Sequence, residues 1–544
     1  MSQRLVFMGQ EAGDRLPQES SPKSRRVVLV GYEDQDNLGI RYLSSRLLQD
    51  GHHTRIVAFG NDPDPLLRII QAEQPDVVGF SLIFQYMVPE FAVVIRALRA
   101  AGVSAHFTIG GHYASFEPDA LLQWIPELDS VVRFEGEDTL AELVSKLDDL
   151  PAWRQTPGIA WLDNGKAVIN PPRGGRTSID DFAEPDRRDI DYRKEELPTA
   201  SVLASRGCPW KCSFCSIITF YEGNGTKGRR RRDPVRVVNE VEELVRGRGA
   251  KLILFQDDDF LAGGRDARTW AHQVAGEITR RGLEREMRFK IACRSDEVRP
   301  EVLAPLVAAG LCHVYLGVES GDETNLESLN KLLKPAVHVR AGEILRELDL
   351  SFDFGFMLLE PWSTLATARN NIAFVRDFTR DGWAVAGFCR ALPYVGTPME
   401  RRLREEGRLE GSALDAEYTF LDPRVDLLWN FCLMAFEGRN FGKNATWNVL
   451  RGFLFDTHLD MPGRPRDPDR DAAARALVQA SNGIMLDVLE GALDLIESGD
   501  VNTLEDPELL ELARLARNED RRIRQQLVDM EQSSSESMYE ALFR

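Results

Sequence analysis

From Val27 onward, short apolar runs alternate with amphipathic stretches: VVLVGY, IRYLSSRLLQD, TRIVAF, PLLRIIQAEQ, DVVGFSLI, FAVVIRALRAAG, AHFTIGG, PDALLQWI, SVVRF and TLAELVSKL. The unbroken runs read as strands buried on both faces, and the stretches with apolar positions three or four apart read as helices. Five such pairs in succession, over residues 25–150, predict an open, doubly wound parallel sheet whose ligand edge lies at the carboxyl ends of its strands. Residues 1–24 are polar and too poor in apolar side chains to bury a core, so a flexible tail is expected there.

Residues 151–199 carry a predicted hairpin, IAWLDNGKAVIN, turning at Asn164 and Gly165, and then a Pro- and Asp-rich connection that reads as a linker. The alternation resumes at longer spacing with ASVLASRG, KLILFQDDDF, MRFKIACRSD, CHVYLGVES, SFDFGFMLL and WAVAGFCRALPY, each followed by a helical stretch. Six such units over residues 200–410 predict a partial β/α barrel, again with its chemistry at the carboxyl ends of the strands. Over residues 411–544 the strand signal fades, and LWNFCLMAF, ATWNVLRGFLF and ALVQASNGIMLDVLEGALDLIES predict a helical cap or substrate module with a fraying polar end. Its aromatics Trp429, Phe431, Phe436, Phe441 and Trp447 read first as core and second as pocket lining. No internal repeat of fixed period is visible, and the fold class is α/β with a helical module appended.

Charge narrows the function. The 544 residues carry 67 Lys+Arg against 86 Asp+Glu, a formal charge of -19, which speaks against a general nucleic-acid binder. One basic run, Arg229 to Arg232, reads as a solvated loop, with a local grip on a carboxylate or phosphate as the alternative. No stretch approaches the ~20 apolar residues that cross a bilayer, and the first residues lack a secretory pattern, so a cytoplasmic protein without a membrane partner is expected. Seven cysteines in a chain this long do not make a disulfide scaffold.

Three of them crowd together. In SRGCPWKCSFCSI, Cys208, Cys212 and Cys215 follow the spacing C-x3-C-x2-C directly after a predicted barrel strand. A closed structural zinc site takes four ligands, whereas a cubane iron-sulfur cluster held by three leaves one iron open to a small molecule. Cys293, Cys312, Cys389 and Cys432 lie in apolar segments and read as packing residues.

This spacing, with Phe214 before the last cysteine, resembles the signature of the radical S-adenosylmethionine superfamily, and SRGCPWKCSFC is close to its cobalamin-associated branch. The resemblance implies a 4Fe-4S cluster whose open iron is chelated by the amine and carboxylate of S-adenosylmethionine. It also implies reductive cleavage of the carbon-sulfur bond and a 5'-deoxyadenosyl radical that abstracts hydrogen from substrate. Carried over by position, Gln256, Asp257 and Asp258 would accept from the methionine ammonium, with helix capping as the structural alternative. Arg294 would pair with the methionine carboxylate, against a surface ion pair. Glu319 and Ser320 would contact the ribose or amino acid end, with Gly321 admitting close backbone approach. Gly355 and Leu358 would meet adenine, although DFGFMLLEPWST lacks the Gly-Glu pair common after that strand. Tyr394, in RALPYVGTPMERRLREEG, resembles a residue at the active-site mouth and reads as packing ahead of substrate contact.

The front loops GYEDQDNLGIR, SLIFQYMVPE, TIGGHYASFEP and VRFEGEDTL resemble those of the cobalamin-binding domain in this branch. Asn37, Leu38, Gly39, Ser81, Gly110, Gly111, His112, Glu135 and Gly136 are the residues this resemblance places against cobalamin, the glycines admitting a nucleotide tail. The first loop has no Asp-x-His-x-x-Gly, so no histidine ligand for cobalt is evident, and His112 reads as an ordinary surface residue. An empty lower face favours methyl transfer over mutase chemistry. The resemblance therefore implies a cobalamin-dependent radical methyltransferase acting on a small-molecule or peptide intermediate, reduced by a donor such as flavodoxin or ferredoxin. Radical cyclisation, oxidation or rearrangement without methyl transfer is the nearer alternative, and a non-catalytic iron-sulfur or cobalamin sensor the more distant one. A front domain that has kept its fold and lost cobalamin also stays open.

Overall fold

The computed structural model describes residues 23–33, 36–194, 197–412, 414–442 and 444–532. Nearly all of the tail expected at residues 1–24, and the polar end after residue 532, fall outside the described residues. Strands β1 (Arg26–Gly31), β2 (His53–Ala58), β3 (Val77–Ser81), β4 (His106–Gly110) and β5 (Ser130–Val132) pair in parallel in the order β2-β1-β3-β4-β5. Val28 and Val30 of β1 pack against helices Pro63–Glu73 and Val88–Ala100, while Val27 and Leu29 pack against helices Leu38–Gln49 and Glu137–Ser145. Burial on both faces is why β1 reads as an unbroken apolar run. Chain direction reverses across the sheet between β1 and β3, and at such a switch point the loops diverge and leave a crevice.

The hairpin of the expected linker belongs to this sheet. β6 (Ile159–Asp163) and β7 (Lys166–Ile169) continue it antiparallel to β5, so the sheet has seven strands. The buried Ile159 and Ala160 in the hairpin's first strand explain why it docks. The connection after it is equally fixed, because the Arg187 guanidinium bridges Asp36 of the front unit (2.7 Å) and Glu240 of the barrel (2.9 Å), and Tyr192 donates to the same Asp36 (2.6 Å).

The barrel is a parallel sheet of six strands, β8 (Thr199–Val202), β11 (Leu252–Phe255), β12 (Arg288–Arg294), β13 (Leu311–Glu319), β14 (Ser351–Leu359) and β15 (Cys389–Arg390), in sequential order. β8 and β15 have no common pairing, so it stays a partial barrel. A two-residue antiparallel pair, β9 (Ser205–Arg206) with β10 (Arg230–Arg231), rises from its rim. The predicted sixth strand shrinks to Cys389–Arg390, because the backbone before it is satisfied by side chains instead of a neighbouring strand. Asn482 accepts from Ala386 N (2.9 Å) and donates to Ala384 O (3.0 Å), and Asn440 accepts from Phe388 N (3.3 Å).

The C-terminal helices Pro423–Phe436, Thr446–His458, Pro468–Ser498 and Pro507–Gln532 close around this irregular edge. Trp429, Phe431 and Phe436 are buried in the main core, which leaves them to packing. Trp447 lies so close to Gly387 that any side chain there would strike its ring. Helix Thr446–His458 and the segment after it stopper the barrel floor: Phe455, Leu459 and Met461 pack against Leu197, Leu252 and Leu254. Above this apolar contact Arg451 donates to Asp353 (2.8 Å), which also faces His313 Nε2 (3.4 Å). Among the described residues no helix is long and apolar enough to cross a membrane.

Burial would raise the carboxyl pKa of Asp353, but the Arg451 charge and the His313 bond outweigh it and hold the group far below the usual carboxylate range. A depressed folded-state pKa stabilises above the unfolded value of about 3.9 and is lost as pH falls below it. Asp353→Asn should therefore cost ~3–5 kcal/mol at neutral pH by removing the buried carboxylate charge that Arg451 and His313 face, and the gap from wild type in denaturant titrations should narrow below about pH 4.

Candidate active site

The cysteine loop begins where β9 ends. Gly207 adopts φ +88°, and a Cβ there would be driven into the Gly228 carbonyl, so only glycine turns the chain toward Cys208. The loop is then pinned at Ser213, whose N–H donates to Leu329 O (2.9 Å), whose hydroxyl donates to Ser328 O (3.0 Å) and whose carbonyl accepts from Met399 N (2.9 Å). Cys208, Cys212 and Cys215 form no disulfide, and helix Ile217–Gly223 follows directly. Burial raises all three thiols, Cys215 to about 12, with the Lys331 and Arg294 charges opposing the rise at Cys212. Among the described residues no three His, Cys, Asp or Glu side chains are gathered for a single metal ion. Phe214 packs its ring against the barrel core.

Above the barrel the strand phases sort the expected contacts. Phe289, Ile291, Val314, Leu316, Phe352 and Phe354 face the helices, so Lys290, Arg294, Tyr315, Glu319, Asp353 and Gly355 share the inner phase. Arg294 is buried, not a surface ion pair. Its Nε donates to Asp296 (3.1 Å), Nη2 to Lys331 O (2.9 Å), and the guanidinium lies 4.1 Å over the Trp210 ring inside the cysteine loop. Glu319 meets the buried ammonium of Lys331 (3.3 Å). Three non-glycine residues here, Glu319, Asn330 and Leu332, hold positive φ, a backbone cost that proteins concentrate at working sites.

Several expected contacts are occupied elsewhere. Asp257 accepts from Ala204 N (3.1 Å) and Ser205 Oγ and faces Arg229 (3.5 Å), so its buried carboxylate holds the barrel rim together. The Ser320 hydroxyl donates to Asn371 Oδ1 (2.8 Å) and is fully enclosed. Gly321 makes room for the Phe374 ring, not for a ligand. The Leu358 side chain is buried in the core, and its carbonyl accepts from Asn371 (2.8 Å). Gln256 and Asp258 open onto the rim; Asp258 accepts from Gly207 N (2.9 Å), and the protein crowded around the rim desolvates its carboxyl and lifts it to about 6. Gly355 stays half-buried beneath Tyr315, where a Cβ would meet the phenol oxygen at 2.7 Å.

The front sheet contains a cavity of about 290 Å3, and Asn37, Leu38, Gly39, Ser81, Gly110, Gly111, His112, Glu135 and Gly136 all line it. Gly79, Ser81, Gly110 and Gly136 hollow it out by having little side chain, and Leu29, Leu43, Val132 and Leu140 make its floor apolar. Gly111 holds φ +112°, with its Cα hydrogen where a Cβ would collide with the Leu82 carbonyl. Asn37 is engaged as a helix cap, accepting from Ile40 N (3.3 Å) and donating to Tyr32 O (3.0 Å). The mouth is completed from the barrel side by Leu203, Arg206, Phe220 and Tyr221, which sequence reasoning missed because they lie in another unit.

Two expectations need correction here. His112 is not a surface residue: its ring stacks on Phe220 at 4.2 Å and 9°, and burial pushes its imidazole down to about 4. The arginine run is not a solvated loop, since Arg229 reaches Ser205 (2.7 Å), Arg230 reaches Glu135 (2.9 Å) and Arg232 reaches Glu240 (2.5 Å) and Glu184 (3.0 Å). Tyr394 lies 6.1 Å from Phe84 and lines, with His112 and Ser216, a smaller cavity of about 60 Å3.

Because the folded state of His112 binds its proton more weakly than the unfolded chain, stability should fall as pH drops from about 6.5 toward 4 and be unaffected by this group above it. His112→Phe should flatten the acid limb of a thermal-stability profile of the cofactor-free protein while leaving the neutral limb unchanged.

Residues 202–369 match the Radical SAM superfamily, so the three-cysteine loop and the partial barrel make this chain a radical S-adenosylmethionine enzyme. Residues 25–144 match the B12 binding domain, so the chain joins a B12-binding domain to a radical S-adenosylmethionine domain. An uncharacterized methyltransferase of Pyrococcus horikoshii is 28% identical over 422 residues, covering 76% of this chain and 87% of that protein. The anaerobic magnesium-protoporphyrin IX monomethyl ester cyclase of Cereibacter sphaeroides is 28% identical over 363 residues, covering 64% of this chain and 56% of the cyclase. The cobalamin-dependent S-adenosylmethionine radical enzyme OxsB, solved with aqua-cobalamin and S-adenosylmethionine, shares the fold with a TM-score of 0.71 at 15% identity over 95% of this chain and 83% of that one.

Proposed function

We propose that the protein methylates a small-molecule biosynthetic intermediate in a cobalamin-dependent radical reaction. The observation that supports this reading is that the helix after Cys215 supplies Phe220 and Tyr221 to the wall of the front-sheet cavity, so a cluster held by the cysteines would lie beside a cobalamin held there. When bound, the cluster, S-adenosylmethionine and cobalamin would supply reductive carbon-sulfur cleavage and a transferable methyl group. Cys208, Cys212 and Cys215 would hold the cluster, and Glu319 with Lys331 would meet the amino acid end of S-adenosylmethionine. Asp258 and Gln256 stand exposed beside them as further acceptors. The apolar floor of the front cavity would exclude water from a nucleotide tail, and Gly110, Gly111 and Gly136 would admit it.

On the inner phase of the barrel, His313, Ser351 and Asp353 belong to the floor, where His313 meets Ser351 (3.0 Å) and Asp353 pairs with Arg451 (2.8 Å), so they stand apart from a substrate. A reducing partner of flavodoxin or ferredoxin type and a cytoplasmic location fit an enzyme that needs reduced cluster and free thiols.

Anaerobically reconstituted enzyme given S-adenosylmethionine, cobalamin, reductant and substrate should release S-adenosylhomocysteine and 5'-deoxyadenosine together. Formation of 5'-deoxyadenosine alone, with no methyl added, would instead favour a cyclisation or rearrangement of the kind named for the Cereibacter relative.

A further inference from the structure

The front sheet and the cysteine loop meet at one charged joint. Arg206, two residues before Cys208, donates through Nη1 to Glu135 (2.9 Å) and through Nη2 to Glu137 (2.7 Å). Glu135 also accepts from Arg230 Nη2 (2.9 Å) and Asn224 Nδ2 (3.3 Å). Arg230 lies on β10, the partner of the strand that carries Arg206, and Asn224 caps the helix that follows Cys215. Both flanks of the cysteine loop are thus tied to one carboxylate, which belongs to the loop after β5. The joint is dry: the side chains of Arg206, Glu135 and Glu137 are each less than a tenth exposed. The Arg206 guanidinium is further fixed 4.8 Å over Tyr42 and 4.4 Å over Phe182. Arg206, Tyr42, Glu135 and Glu137 also wall the front cavity.

We propose that Arg206 is a positioning residue that couples the two cofactor sites, so that cobalamin in the front cavity tightens S-adenosylmethionine binding at the cluster. The inference rests on the functional reading above. A forked guanidinium bonded to two carboxylates in a dry seam has few alternative arrangements. Because the joint is stiff, a molecule filling the cavity against Arg206, Phe220 and Tyr221 would carry the cysteine-bearing segments with it instead of being absorbed locally. S-adenosylmethionine arriving second then meets a site already set, and linkage requires the reverse effect to be equal.

The test uses the full chain with its cluster reconstituted under anaerobic conditions. The dissociation constant of S-adenosylmethionine is measured by equilibrium dialysis with and without saturating hydroxocobalamin, and the electron paramagnetic resonance spectrum of the reduced cluster is recorded in both states. The wild type should bind S-adenosylmethionine about 5-fold or more tightly with cobalamin present, and the cluster spectrum should shift. Arg206→Lys, which keeps the charge and loses the fork, should bring the ratio close to one, with the hydroxocobalamin concentration raised to saturate each variant as titrated by its own absorption. Glu135→Gln should do the same if the lysine variant fails to fold, and Arg369→Lys, at an exposed ion pair, should leave the ratio unchanged. A wild-type ratio of one, or an undiminished ratio in both joint variants, overturns the coupling and leaves the functional reading standing. Failure of the wild type to bind either cofactor overturns both.

Discussion

Cys215→Ala protein, reconstituted beside the wild type, should contain no stable cubane and release no 5'-deoxyadenosine above the enzyme-free background. The loop offers three sulfur donors, and the four remaining cysteines cannot replace one, since Cys293 and Cys432 are buried in the core, Cys312 packs at the barrel floor and donates to Phe289 O (3.3 Å), and Cys389 lies on β15 at the far edge of the barrel sheet. Two thiolates do not hold a cluster whose fourth iron must stay open for its ligand. The same substitution at Cys432 should keep the full iron and sulfide content and lower only thermal stability, by the ~1–3 kcal/mol expected for a small vacancy in a packed interior. Iron and sulfide assays with product chromatography decide the matter, and a Cys215→Ala enzyme that still cleaved S-adenosylmethionine would remove the cluster assignment.

Gly111→Val should abolish cobalamin retention. At φ +112° a β-branched residue is strained by about 1–3 kcal/mol, and its Cβ has no space because the Leu82 carbonyl occupies it. Relief requires the segments at the ends of β3 and β4 to part, and these carry Ser81, Gly110 and His112 on the cavity wall. The bound cobalamin read from absorption after dialysis should fall from near one per chain to near zero. Gly102→Ala provides the comparison: it also has positive φ, +82°, but open space around it, so strain alone should lower the melting temperature slightly and leave cobalamin in place.

The cavity was legible in the chain because its expected residues sit at strand ends or in the loops that follow them, and strands buried on both faces announce themselves as apolar runs. Ser81 ends β3, Gly110 ends β4, and Glu135 follows β5 by three residues. The cysteines were legible for a different reason, since their chemistry depends on spacing within one loop. What the pattern could not reveal is pairing at a distance. Arg206 and Glu135 are 71 residues apart, and nothing local marks them as partners. Asp257 and Ser320 carry suitable acceptors at suitable positions, yet Ser205 and Asn371 reach them first. The sixth barrel strand has an apolar run that predicts its full length, but Asn440 and Asn482, contributed by the C-terminal segment, take over its backbone. Lys331 escaped notice because a turn between two left-handed residues, not a periodic face, buries it.

The stopper in the barrel floor sets an order of events during synthesis. Leu252 and Leu254 leave the ribosome long before Phe455, Leu459 and Met461 exist to cover them. Until that later segment arrives, the nascent chain carries a bottomless ring with a greasy lower rim, a surface that holdase chaperones bind and that clumps without them.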